Sequence, residues 1–440
     1  RLIAGSAGGS PACTHDAISW LLCPPAPGSV VSYTAARTGG HMDLATFDWL
    51  LSADGQALLA LASAADLSAA AQLAVLQRLR RHAPAEYAAA AYEMALLRRR
   101  AATKFAAAER LYFTRDALEQ ASGEIIAAYR ASRYAGHGRI ADLGCGIGGD
   151  LLALAQIAPV VGVDRDPLRL AMAAANLQVR GLASRATLLE ADLTGDPASF
   201  LAADITAIFF DPARRRAGQR MSSLADYDPP VASINRWRDR VALIGVKVAP
   251  GVGDDQLAGL AINAIEFLSV DGDMKEALLW VGSDAGPQRC ATLLSSNPAE
   301  APISLPAPDA PPAEPVAPRG LLYEPDPAII RAGLVGTLAQ QLGAAQIDAQ
   351  IAYLTSDDLR PSRMARCWRI LEWHPFNLKR LRARLRTFDT GPVTVKKRGS
   401  PLDTDTLARR LSGNGQRPLV VVLTRVLDQP AMLICEGPIG

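Results

Sequence analysis

The sequence predicts an α/β protein in three parts: an N-terminal helical bundle, a doubly wound sheet of parallel βαβ units, and a small C-terminal α/β domain. Three observations carry this. From Asp43 to about Arg130 the chain is rich in Ala, Leu, Arg and Glu with apolar residues at helical spacing, as at Leu73, Leu76, Leu79 and again at Tyr92 and Leu96. From Arg139 short apolar runs alternate with longer amphipathic ones, the pattern of strands joined by crossover helices. After a proline-dense stretch, residues 297–318, helical and strand patterns resume to the C-terminus.

Residues 1–41 are Gly-, Pro- and Ser-rich without periodicity and are followed by Met42, so a disordered leader or upstream sequence is expected there. Residues 42–130 form the helical region, punctuated by Asp66-Leu67-Ser68 and by Pro84. In residues 131–296 the strands are placed at 139–142, 160–164, 186–189, 205–210 and 241–248, with a hairpin of 265–270 and 277–281 around Asp271-Gly272-Asp273 closing the sheet antiparallel. Residues 297–318 read as an extended linker or surface insertion. The last domain, 319–440, takes a helix over 328–342, strands at 368–371 and 393–395, helices over 377–388 and 403–411, and two closing strands, 419–427 and 431–435.

The chain has 440 residues, 49% of them hydrophobic, enough for two or three cored domains. Its net charge of +2 hides an asymmetry: residues 321–440 hold 17 Lys+Arg against 11 Asp+Glu, so that part is +6 and the remainder −4. Six scattered cysteines lack the paired spacing of a zinc site or disulfide framework, which suits the reducing cytoplasm and predicts no metal. The longest apolar stretch, 151–163, is interrupted by Gln156 and bounded by Asp150 and Asp164, too short for a bilayer, so no membrane partner is expected.

The chemistry centres on Asp142-Leu143-Gly144-Cys145-Gly146-Ile147-Gly148-Gly149. Gly144, Gly146 and Gly149 satisfy a dinucleotide spacing, and such glycines let backbone turn sharply against either a pyrophosphate or the methionine part of S-adenosylmethionine. Asp142 separates the two: a carboxylate at the end of the first strand repels a pyrophosphate and suits a cationic sulfonium ligand with its α-amino group. Asp164 ends the second strand, placed for the ribose hydroxyls, and Asp192 follows the third, placed for the adenine amine. The constellation predicts S-adenosylmethionine as cofactor and S-adenosylhomocysteine as product. Gly148 and Cys145 belong to the same turn, Cys145 as a small tolerated residue with nothing to activate its thiol. Phe113-Thr114 read either as a ring and hydroxyl over the methionine end or as a hydrophobic staple and N-cap.

Methyl transfer is an in-line displacement at an activated carbon, so a protein mainly aligns the nucleophile, without metal or covalent relay. The fourth strand ends in Asp211-Pro212-Ala213-Arg214-Arg215, where reacting groups meet in a doubly wound sheet. Asp211 and the Pro212 carbonyl are candidates to accept hydrogen bonds from a target amine, and Arg214 or Arg215 to hold a substrate phosphate or carboxylate; the alternative is a turn aspartate beside a solvated basic face. Residues 217–230 are a candidate lid, and Lys247 either faces the pocket or sits at the core edge.

Through Asp142–Gly149, Asp164, Asp192 and Asp211–Arg215 the chain resembles a bacterial class I methyltransferase carrying a C-terminal THUMP-like domain, a resemblance extending from Met42 nearly to the end and including 322–327 and 394–399. The catalytic half with Phe113-Thr114 is also similar to the trimethylguanosine synthase group. Enzymes that methylate exocyclic base amines usually carry a second proline and an aromatic where Ala213-Arg214 stand here. The resemblance implies a Rossmann-like class I methyltransferase sheet, S-adenosylmethionine as cofactor and, by analogy, an RNA substrate.

Residues 360–398 hold 12 Lys+Arg against only Glu372 and Asp389, with Trp368, Trp373, His374 and Phe376 interleaved. This tract, Arg360 to Arg398, reads as an RNA-docking surface with stacking aromatics, or as a solvated basic helix over an aromatic core. The expected function is an RNA methyltransferase acting on tRNA or rRNA; the alternatives are methylation of a small molecule or protein, and a non-catalytic protein binding both cofactor and RNA.

Overall fold

The computed structural model describes residues 42–213, 223–307, 314–399 and 403–439, with the backbone alone at 215–216 and 219–220. Residues 1–41, on which the leader expectation falls, lie outside them.

The chain divides between Tyr92 and Glu93 into two compact units. The first contains helices Leu44–Leu51 (α1), Ala53–Ser63 (α2) and Gln72–Leu79 (α3) and the start of Ala85–Ala101 (α4). Asp43 caps α1 by accepting from the Thr46 amide, and Ser52 caps α2 by accepting from Gly55, satisfying N–H groups that have no helical partner. Trp49 and Tyr87 stack with centroids 4.0 Å apart. The stripe that includes Leu73 is corrected: Leu73 is 67% exposed, and Val75 and Leu79 supply the buried face of α3.

In the second unit, Arg115–Gln120 (α5) and Glu124–Ser132 (α6) lead into the sheet. The helical region expected to run to Arg130 thus contributes its last two helices to the catalytic core, where Ile126 and Ala131 pack. The strands are Arg139–Leu143 (β1), Val160–Asp164 (β2), Ala186–Glu190 (β3), Ile205–Phe210 (β4), Leu243–Val248 (β5), Ala264–Val270 (β6), Asp273–Gly282 (β7), Arg289–Leu294 (β8) and Ile303–Pro306 (β9). Their order is β9-β8-β6-β7-β5-β4-β1-β2-β3. β1 to β5 pair in parallel, and β7 inserts antiparallel between β5 and β6 after the Asp271-Gly272 turn. Order reverses between β1 and β4, which opens a crevice at their carboxyl ends.

Alternation along the strands sends residues to opposite faces. Ile140, Ala207, Phe209 and Leu243 meet α6 and helices Leu151–Ile157 (α7) and Pro167–Val179 (α8). Ala141, Ile208, Phe210 and Ile244 meet Leu224, Tyr227 and Trp237. Gly245 has no room for a side chain: a Cβ there would stand 2.4 Å from the Tyr134 hydroxyl and 2.6 Å from the Trp280 ring.

Beyond a short helix, Asp254–Leu257 (α9), and β6 to β9, the C-terminal domain holds a second sheet. Its strands are Leu321–Pro325 (β10), Ala345–Asp348 (β11), Ile351–Ser356 (β12), Ala365–Pro375 (β13), Thr390–Lys397 (β14), Arg417–Val426 (β15) and Gln429–Glu436 (β16), in the order β11-β12-β10-β13-β16-β15-β14. Helices Leu378–Leu385 (α12) and Thr404–Leu411 (α13) cover one face through Leu381, Leu385, Leu407 and Leu411. The single helix expected over 328–342 is two, Pro327–Arg331 (α10) and Val335–Leu342 (α11), because Gly333 turns left-handed at φ +72° and ends the first. Within 297–318, expected to be unpatterned, Ile303–Pro306 pairs antiparallel with β8 as the edge of the main sheet. The two sheets share one core: Ile329 and Leu338 bridge Phe267 and Ala291 of the first to Tyr323 and Leu354 of the second.

Gly245→Ala is expected to overpack the Tyr134–Trp280 contact and lower unfolding free energy by about 1–3 kcal/mol, read from urea denaturation.

Candidate active site

A cleft of about 370 Å³ lies at the carboxyl ends of β1, β2, β4 and β5. β1 delivers Asp142, and the turn after it runs close to the end of β4. Gly144 has φ +83°, and a Cβ on it would lie 2.8 Å from the Asp211 carbonyl, so only bare backbone fits. Gly146 lines the cleft with open space where a side chain would be. Gly148 packs instead against Ala173 of α8 and does not line the cleft. Asn176 of α8 fixes the turn: its Nδ2 donates to the Ile147 carbonyl at 2.9 Å and to Tyr112 at 3.1 Å, while its Oδ1 accepts from Tyr112 N at 2.8 Å.

Asp142 is buried, and among the described residues neither carboxylate oxygen has a hydrogen-bond partner. Burial, then the neighbouring Asp150 and Asp211, push its carboxyl well above the usual range. Asp164 accepts from Gly146 N at 2.8 Å and Asp166 N at 3.0 Å, so each oxygen already has a backbone donor. Asp192 is exposed on the rim, and the Thr194 amide and hydroxyl, both at 2.8 Å, hold its carboxyl below the usual range. Cys145 lines the cleft, but burial and then the carboxylates Asp142 and Asp164 push its thiol well up, which leaves it inert.

The sequence expectations that are not brought together are Phe113 and Thr114. Phe113 is buried against Phe105, centroids 5.5 Å apart, and Thr114 caps α5 by accepting from Ala117 N at 3.2 Å; neither lines the cleft. Arg214 and the Arg215 side chain lie outside the described residues.

Asp211 and Pro212 reach the cleft from β4, and Lys247 from β5. Lys247 Nζ sits 2.7 Å from Asp211 Oδ2 and donates also to the Gln120 carbonyl at 3.3 Å. Ala213 exchanges backbone hydrogen bonds with Asp228 at 3.0 and 3.1 Å, which carries Asp228-Pro229, part of the candidate lid, into the cleft wall. Beneath the floor, buried Arg130 of α6 pairs with Asp150 and, at 2.8 Å, with Glu276 of β7, its guanidinium 4.8 Å from the Phe209 ring. Sequence reading missed Arg130 and Glu276, and placed Asp228 only within the candidate lid; Asp150, directly after Gly149, carried a local signal.

In the C-terminal basic tract, Trp368 is buried in the second core with Lys396 Nζ 4.8 Å above its ring, which removes it from the expected stacking set. Trp373 and Phe376 are exposed, and His374 bonds Glu372 at 3.1 Å. Glu372 also pairs with Arg384, Glu300 with Arg363 at 2.7 Å, and Glu324 with Lys396 at 2.6 Å and Arg398 at 3.4 Å. No ion pair among the described residues engages Arg366, Arg369, Lys379, Arg380, Arg382 or Arg386, which are exposed.

An unpartnered buried carboxylate, bare turn backbone and a switch-point crevice fit S-adenosylmethionine, whose amino group and sulfonium are both cationic. The fold and cleft define an S-adenosylmethionine-dependent methyltransferase. The chain is 38% identical over 346 residues, 76% of its length and 92% of theirs, to uncharacterised S-adenosylmethionine-dependent methyltransferases from two strains of Mycobacterium tuberculosis. It belongs to that family. A crystal structure of a candidate methyltransferase from Porphyromonas gingivalis shares the fold, with TM-score 0.67 and 21% identity over 87% of this chain and 98% of that one. Residues 365–437 match the THUMP domain-like family, and residues 43–101 a domain of unknown function. No helix among the described residues is long and apolar enough to cross a membrane.

Replacing Arg130 with Met would strand Asp150 and Glu276 as buried charges. A loss of about 3–5 kcal/mol in unfolding free energy is expected from chemical denaturation.

Proposed function

We propose that this enzyme methylates RNA: the surface around Arg366, Arg369, Lys379, Arg380, Arg382 and Arg386 docks the substrate, and Asp211 with the Pro212 carbonyl receives an N–H of the target nucleotide. The observation that carries this is the group of exposed cations that no ion pair among the described residues engages, in a segment that also carries the exposed rings of Trp373 and Phe376. Such a surface attracts a phosphate backbone and offers faces on which bases stack.

When bound, S-adenosylmethionine supplies a methyl group activated by its sulfonium. Asp142 would hold the α-amino group, the backbone of Gly144 and Gly146 would lie along the methionine part, and Asp164 and Asp192 would meet the ribose and adenine. For Asp164 this means accepting ribose hydroxyls on lone pairs left free by Gly146 and Asp166. At the reacting end Asp211 lies among Asp142, Asp150 and Asp228, so a neutral N–H donor is favoured over an anionic nucleophile, which like charges would repel. Accepting an N–H orients the nitrogen lone pair toward the methyl group, and closing the cleft side with Asp228-Pro229 limits water.

Filter binding to bulk tRNA and rRNA is expected to weaken steeply with salt. Replacing Arg380 and Arg382 together with Glu should cut affinity by roughly tenfold or more and flatten the salt slope by about one unit per lost phosphate contact. Salt-insensitive binding, or none, overturns the RNA reading.

Asp142 gives a pH signature. Its carboxyl is raised in the free protein, and an ammonium partner favours the charged form, so cofactor uptake releases a proton. Affinity for S-adenosylmethionine should therefore rise with pH above the ordinary carboxylate range and level off once the free protein has lost that proton. Calorimetry in buffers of different ionisation enthalpy reads the release; Asp142→Asn should abolish it and weaken binding by roughly 10–100-fold, on the scale of a lost charged hydrogen bond.

A further inference from the structure

β4 and β5 run parallel in register, with Phe210 opposite Val246, so the next residues, Asp211 and Lys247, emerge side by side at the cleft. The lysine arrives with its side chain only 4% exposed, while that of Asp211 is 23% exposed. A buried ammonium needs its donors satisfied. Lys247 has Asp211 Oδ2 at 2.7 Å and the carbonyl of Gln120, the last residue of α5, at 3.3 Å. That carbonyl is itself held in place, because Lys104 Nζ donates to the flanking carbonyls of Leu118 at 2.7 Å and Ala121 at 3.0 Å. The chain of contacts therefore runs from a braced helix end, through one ammonium, to one oxygen of the residue at the reacting end.

We infer that Lys247 is a positioning residue for methyl transfer: by holding Oδ2 of Asp211 it fixes the carboxylate plane and leaves Oδ1 as the single acceptor offered to the target N–H. The inference rests on the assignment of Asp211 as that acceptor. A carboxylate without this tether would rotate between orientations, and a mis-set acceptor costs rate even where substrate still binds. The positive charge of Lys247 also offsets part of the negative charge that Asp211, Asp142 and Asp150 bring to the cleft.

The test is a double-mutant cycle on the full chain, with Lys247→Met, Asp211→Asn and the pair, following transfer of labelled methyl to total RNA from cells lacking the enzyme. Lys247→Met should lower kcat roughly 100-fold while KM for RNA and affinity for S-adenosylmethionine stay within about twofold. In the Asp211→Asn background the same change should cost less than about twofold, since its route of action is already gone. Lys247→Arg should recover at least about tenfold of the lost kcat. Losses that multiply in the double variant, or a loss confined to KM or to cofactor affinity, overturn the inference. Should Lys247→Met fail to fold, Lys247→Gln, which keeps an N–H donor without the charge, replaces it with the same criteria. If the wild-type enzyme labels protein or small molecules and not RNA, the substrate reading fails, and the cycle run on the labelled fraction decides on Lys247 by the same outcomes.

Discussion

In the cleft wall and beneath it, the carboxylates of Asp142, Asp150, Asp211 and Glu276 gather around the cations of Arg130 and Lys247. Taking like charges out of water is costly unless each finds a partner, and most of the floor is arranged to meet that condition. Arg130 answers Asp150 and Glu276, and Lys247 answers Asp211. Among the described residues, Asp142 is left with no hydrogen-bond partner of its own. Burial raises its carboxyl well above the usual range, which lessens the cost of leaving it unpartnered, and under the proposed reading a cationic cofactor would relieve it. A third positive charge, such as the ammonium of the proposed cofactor, would complete the pairing.

The same cluster explains what the sequence could and could not reveal. Asp142 and the glycine turn are consecutive, and their chemistry follows from strand-end placement, so the cofactor and the sheet were readable from the chain alone. Lys247 against Asp211 depends on which strands become neighbours and in what register, a relation between residues 36 apart. Arg130 gives no local sign of burial, since it lies in an amphipathic helix whose polar residues normally face water. Thr114 and Phe113 offered two meanings, and the local one, a helix cap beside a buried ring, is what the chain builds.

In the C-terminal domain, periodicity located the later helices and strands, but not the outward order of aromatics along β13. The first strand of this domain, β10, pairs with β13 only from Ala365 to Arg369, so Trp368 lies within the sheet and is buried, while Trp373 lies beyond that pairing and is exposed. Proline content likewise suggested a linker in 297–318, yet four of those residues pair as β9, because proline is tolerated at a sheet edge.

The continuous core between the two sheets has a mechanical meaning. Arg331 of α10 donates to the carbonyls of Pro250 and Val252 in the loop after β5, at 2.5 and 2.6 Å, so the second domain is clamped to the backbone that follows Lys247. A macromolecule seated on the basic face would meet the cleft at a set span, as between the jaws of a caliper. Which of its atoms is reached would then follow from distance along its own surface, before any local recognition begins.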